Sequence, residues 1–228
     1  KLDLQNTNKD TALILACEYG NEEIVRLLLD AGAEVNLQNE DGGTALMHAV
    51  NKGKKVIVSM LLQQGADINF QDNHGDTALM HAVNKGNEKI VSLLLINGAK
   101  VDLPDNEVNT ALMLACINGN KEIVRLLIKN GAKVDLQNED GETALMMACT
   151  NDNEEIVRLL CEKIPNINLQ DNEGHTALMI AADKGEKIIV CRLLKKGAKV
   201  DLHDKDGGTA LMNAVNKGND VIVSMLLQ

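Results

Sequence analysis

The sequence predicts an all-α solenoid, a stack of paired antiparallel helices with extended hairpin loops between the pairs. Three observations carry that expectation. The step Thr-Ala-Leu recurs at Thr11, Thr44, Thr77, Thr110, Thr143, Thr176 and Thr209, always 33 residues apart. A longer frame surrounds each copy, seen most cleanly in DNHGDTALMHAVNKGNEKIVSLLLINGAKVD from Asp72. The copies fill all 228 residues without an insertion, and self-similarity at a period of roughly 20–50 residues marks a repeat architecture. The frame divides the chain into approximately 6–38, 39–71, 72–104, 105–137, 138–170, 171–203 and a truncated 204–228, all within one domain.

Each element of one copy follows from its residues. The threonine suits a helix N-cap, because its hydroxyl can accept from a backbone N–H of the first turn. In ALMHAVNK, Ala78, Leu79 and Ala82 have helical spacing. Gly86 then supplies a left-handed stop. A second apolar run, Lys89 to Ile96, ends at the Gly-Ala pair beginning at Gly98. The alternation of Val134 and Leu136 predicts extended backbone, and Asn138-Glu139-Asp140-Gly141 has turn chemistry. Helices this short are unstable alone in water, where about 12–15 residues is the margin. Apolar positions such as Leu28 and Ile90 must therefore be covered by neighbouring copies. Lys9, Val108 and Asp152 occupy positions that are glycine in most copies.

These residues resemble ankyrin repeats, a family with a unit of the same length. The family places Thr-Pro-Leu-His at the start of its first helix and Gly-Ala before its hairpin. In this chain Ala always replaces the proline, and the histidine position carries Ile14, Met47, Met80, Met113, Met146, Met179 or Met212. The resemblance covers essentially the whole chain. It implies a non-catalytic scaffold or adaptor that binds protein or peptide through its hairpin tips and the concave face of its first helices. The alternatives are a recruiting or regulatory arm of a larger enzyme or channel, or a structural component packed in a large assembly. Full-length sequence separates them, since a catalytic or membrane domain carries its own motifs.

Composition narrows the classes further. The net charge of −10 disfavours a nucleic-acid or anionic-membrane surface, which needs a basic stripe. No apolar run is long enough to span a bilayer, so no membrane insertion is expected. No N-terminal signal is visible, although the sequence does not begin with Met. Of the five cysteines, Cys17, Cys116 and Cys149 share one core position and read as small buried hydrophobes. An intracellular setting, cytoplasmic with the nucleus as a second option, fits that usage. The last segment, Val221 to Gln228, keeps the apolar pattern of the interior segment Val56 to Gln63. That pattern predicts a longer chain or a larger assembly, because terminal repeats normally carry a polar outer face.

No phosphate loop, metalloprotease helix or nucleophile elbow is present, so neither catalysis nor a cofactor is expected. His48 and His81 share a repeat position about one layer, roughly 10 Å, apart, too far for one ion, and no metal site is expected. The candidate partner surface has three parts. Acidic tips are formed by Glu40, Asp41, Asp76, Glu107, Glu139, Asp140, Glu142 and Glu173. A concave row carries His48, Lys52, His81, Lys85 and Lys184, with an apolar centre at Leu114, Ile117 and Met147. Such a surface suits a peptide with basic residues against the tips; the alternative is a face charged for solubility alone. The resemblance also makes Asn36, Asn69 and Asn168 candidates for β-hydroxylation by an asparaginyl hydroxylase.

Overall fold

The computed structural model describes all 228 residues. Residues Lys1–Asn106 and Glu107–Gln228 form two compact units. The first contains α1 (Ala12–Tyr19), α2 (Glu22–Asp30), α3 (Ala45–Asn51), α4 (Lys55–Gln63), α5 (Ala78–Asn84) and α6 (Glu88–Ile96). Inner helices α1, α3 and α5 pack in succession, as do outer helices α2, α4 and α6. The second unit contains α7 (Ala111–Ile117), α8 (Lys121–Lys129), α9 (Ala144–Thr150), α10 (Glu154–Cys161), α11 (Ala177–Lys184), α12 (Lys187–Lys195), α13 (Ala210–Asn216) and α14 (Asp220–Leu226). It repeats the same packing, with α7, α9, α11 and α13 inside and α8, α10, α12 and α14 outside. No helix is long and apolar enough to cross a membrane.

Every inner helix starts as its threonine predicts. Thr77 Oγ1, for example, accepts from Met80 N at 3.3 Å. The methionine in the family's histidine position then makes a bond of its own. Met80, Met113 and Met146 each accept the N–H of the preceding threonine on sulfur at 3.4 Å. Four outer helices are capped by Asn21, Asn87, Asn120 and Asn219, whereas Lys54 and Glu186 at the same position make no side-chain cap bond. Leu61, Leu94, Leu127, Leu160 and Leu193 are fully buried. Leu28, at the same frame position, stays half-buried because α2 has an outer-helix neighbour, α4, on one side only.

The loops are less strand-like than the alternating residues predict. They form no ladder, only isolated antiparallel bridges such as Gln71 with Thr77. Side chains do the tying instead. Gln71 Nε2 donates to Gly75 O of its own turn at 2.8 Å and to Pro104 O of the next at 2.7 Å. Gln38, Gln137 and Gln170 bridge their loops in the same way. Asn36, Asn69 and Asn168 clamp the following loop, each accepting on Oδ1 from Asp67 N, Lys100 N or Lys199 N at 2.8 Å.

Candidate functional site

The tips are held to one another through backbone. In the first unit Glu40 N donates to Asn8 O, Asn73 N to Asp41 O and Asn106 N to His74 O, at 2.8–3.0 Å. In the second, Glu139 N donates to Glu107 O, Asn172 N to Asp140 O and Lys205 N to Glu173 O, at 2.8–3.1 Å. This approach is so close that a Cβ on Gly75 would lie 2.6 Å from Asn106 N, and Gly75 also has φ +80. Side-chain direction at the tips is therefore set by a bonded frame, which lowers the ordering cost of any contact made there.

Six of the candidate residues converge. Glu107, Ile117, Glu139, Asp140, Glu142 and Met147, with Asn109 and Asn138, line one cavity of about 380 Å³ in the second unit. Four carboxylates surround it, and Met147, otherwise buried, contributes with Ile117 an apolar floor. Its walls are wired by short polar bonds. Asn138 Nδ2 reaches Asn109 Oδ1 at 3.1 Å, and Asn138 Oδ1 accepts from Glu142 N at 2.8 Å. Arg125, Glu155, Arg158 and Glu162 form an ion-pair network in this unit, and Lys205 and Lys217 pair with Glu173 and Asp183.

The other candidates are spread more widely. Glu40, Asp41, Lys52, Lys85, Glu173 and Lys184 are exposed, while Leu114 is half-buried. Lys52 Nζ and His48 Nδ1 approach Glu18 at 3.9 and 4.0 Å. His48 Nε2 lies 3.3 Å from Asn39 Nδ2. An amide N–H only donates, so this contact favours an accepting imidazole nitrogen, as in the neutral ring. Burial lowers its pKa, Lys52 and His81 act in the same direction, and Glu18 and Asp10 oppose. Burial pushes Cys17 up to about 12 and raises Cys116 and Cys149 as well, consistent with inert core thiols.

The spacing between histidines does not reveal one cluster, which joins a histidine to turn aspartates. Asp72, Asp76 and His81 each offer a ligand atom, all within 4.8 Å of one another. Those atoms already serve the turn. Asp72 Oδ1 accepts from His74 N and Asp76 N at 2.9 Å, and Oδ2 pairs with His81 Nε2 at 2.9 Å. Burial lifts the Asp76 carboxyl above the ordinary range, Asp72 and Asp105 add to this, and His81 opposes. The signal was legible: positions 72, 76 and 81 all carry ligand types, whereas the next copy has Asp105, Asn109 and Leu114.

A rigid row of tips over paired helices defines a repeat module built to present a surface. The family profile for ankyrin repeats matches in overlapping segments, residues 1–72, 31–105, 57–138, 95–171, 112–204 and 164–228. The chain belongs to the ankyrin repeat family. No curated protein sequence matches it. Among solved structures it is similar to the ankyrin repeat domain of Bcl-3, described as a unique member of the IkappaB protein family. The TM-score is 0.85 at 28% identity, over 96% of this chain and 99% of that one. The ankyrin repeat is a protein-interaction module, and no catalytic family is indicated.

Proposed function

We propose that this chain is a non-catalytic scaffold that binds a basic peptide segment of a partner protein at its tips and concave face. The observation that carries the reading is the cavity ringed by Glu107, Glu139, Asp140 and Glu142 and floored by Ile117 and Met147. Four carboxylates around an apolar floor suit a Lys or Arg beside an aliphatic side chain. The arginine fork binds a carboxylate in two parallel hydrogen bonds, and the aliphatic neighbour fills the floor. The tip-to-tip bonds support the reading because they hold the acidic residues in place before a partner arrives.

The test is binding of displayed peptide libraries to the intact chain and to a triple reversal, Glu139→Lys, Asp140→Lys and Glu142→Lys. Selected peptides are expected to carry Lys or Arg next to an apolar residue and to bind the reversed chain at least tenfold more weakly. Their affinity should also fall as salt rises. Unchanged affinity in the reversed chain, or selection of acidic peptides at this site, refutes the assignment.

A further inference from the structure

The outer helices α12 and α14 carry a second groove, of about 500 Å³, unrelated to the tips. Its apolar floor is Ile188, Cys191 and Met225, and its rim is Lys187, Arg192, Lys195 and Lys196. Four cations around one groove stand out in a chain of net charge −10.

The repeat that forms it differs from the others at two adjacent positions. Copies one, four and five read Ile-Val-Arg-Leu-Leu, whereas this copy reads Ile-Val-Cys-Arg-Leu-Leu from Ile189. Within the fixed frame Cys191 stands where Arg26, Arg125 and Arg158 stand, and Arg192 stands where those copies have leucine. Arg192 takes the place of Leu27, Met60, Leu93, Leu126 and Leu159, and Ile188 stands where other copies have Glu23, Val56, Lys89, Glu122, Glu155 and Val221. Arg192 and Ile188 both line the groove. Arg192 Nε is buried without a hydrogen-bond partner, and Ile188 is 55% exposed. A buried donor without a partner is a cost the fold does not recover internally. A carboxylate brought into the groove would pair with the exposed part of the Arg192 guanidinium, while an aliphatic side chain attached to that carboxylate's chain would cover Ile188.

We infer that this groove docks an acidic amphipathic peptide segment of a partner protein. An aliphatic side chain lies over Ile188, Cys191 and Met225, one carboxylate engages the Arg192 guanidinium, and further acidic residues face Lys187, Lys195 and Lys196. Charge complementarity selects the occupant, since the rim is cationic throughout. This site is opposite in preference to the tips, so the two can hold different segments at once.

The experiment is selection of a displayed helical peptide library on the intact chain, with counter-selection on Arg192→Leu. That variant restores the residue type of the other copies, so it removes the charge without endangering the fold. Enriched peptides are expected to pair Asp or Glu with Leu, Ile or Met three or four positions away. They should bind Arg192→Leu at least tenfold more weakly, although its unfolding midpoint rises. They should also slow N-ethylmaleimide labelling of Cys191, the one cysteine that is not buried. Four outcomes overturn the inference: no enrichment, enrichment of neutral or basic peptides, equal binding to Arg192→Leu, or undiminished Cys191 labelling. Vesicles of phosphatidylserine and phosphatidylcholine form the control arm. Capture by those vesicles with no peptide enriched would likewise overturn it, in favour of a membrane surface.

Discussion

Asp152 is the position where a single substitution should strengthen the protein. It sits in left-handed backbone, φ 53, at the stop after α9, where the other copies carry Gly20, Gly53, Gly86, Gly119, Gly185 and Gly218. A non-glycine residue there costs about 1–2 kcal/mol, with aspartate at the lower end. Glycine in exchange gives the unfolded chain extra freedom worth about 0.5–1 kcal/mol. Asp152 is exposed, so little apolar burial is lost. Asp152→Gly should therefore stabilise by up to about 0.5 kcal/mol, or roughly 1–2 °C for a chain of this length. A second effect adds to it. The Glu186 carboxyl is raised above its ordinary value of 4.5, first by a hydrogen bond with Asp152, then by burial and by the charges of Asp152 and Glu154. A raised carboxyl contributes stability that is fully present below its unfolded pKa and is lost as pH rises through the folded one. Removing the partner should therefore help at pH 7 and bring no gain near pH 4. Asp152→Asn isolates this part, because asparagine also tolerates the left-handed region. The assay is thermal unfolding of the three proteins at both pH values. No gain for Asp152→Gly at pH 7 would refute the backbone argument. An equal gain for Asp152→Asn at pH 7 and pH 4 would refute the carboxyl-pair argument.

Two further predictions concern the loops and the concave face. Gln71→Ala removes both bonds of the Gln71 amide, to Gly75 O and Pro104 O; at about 0.5–1.5 kcal/mol for each bond, denaturant unfolding should show a loss of about 1–3 kcal/mol, and a loss below measurement error would mean water replaces them. His48 should titrate below 6.5 in NMR, because burial and its acceptor role toward Asn39 favour the neutral ring. Its lowered pKa makes stability fall as pH drops through 6.5 toward the folded value, so His48→Gln should flatten that slope between pH 7 and 5.

How much of this was readable in the residues depended on the range of the interactions involved. Thr77 with Met80, or Gly86 after α5, is a relation within one turn of chain; the threonine cap recurs in all seven copies and the glycine stop in six. That period made the stack predictable. The stop positions were readable for the same reason: Lys9, Val108 and Asp152 stood where glycine recurs, and all three have positive φ. The loop ties were harder. Gln5, Gln38, Gln71, Gln137 and Gln170 recur at one frame position, yet nothing in their spacing says that one amide reaches a carbonyl of its own turn and a second one 33 residues further along the chain. The Asp72, Asp76 and His81 cluster escaped because it joins a turn to a helix, so neither helical nor strand periodicity brings those residues together. The groove on α12 was hidden by two adjacent substitutions. Cys191 stands in the frame position of Arg26 and Arg192 in that of Leu27, so the segment still reads as the same motif.

The way the tips are tied also bears on how this surface can change. The bonds between successive tips use backbone N–H and C=O groups, as from Glu139 N to Glu107 O. Backbone bonds make no demand on side-chain identity. Glu40, Asn73, Asn106, Glu139, Asn172 and Lys205 can therefore differ in charge while occupying equivalent places in the same frame. Where asparagine is present it adds a reinforcing bond, as Asn172 Nδ2 does to Glu139 O at 2.8 Å. The core obeys the opposite rule. Ala82, Ala115 and Ala148 are fully buried between packed helices, and a larger side chain there would force the layers apart. Stability and recognition are thus assigned to different atoms of each repeat. A charge reversal at Glu139, Asp140 and Glu142 should accordingly change what binds with little change in the unfolding midpoint, which is what makes that variant a fair test of the acidic cavity.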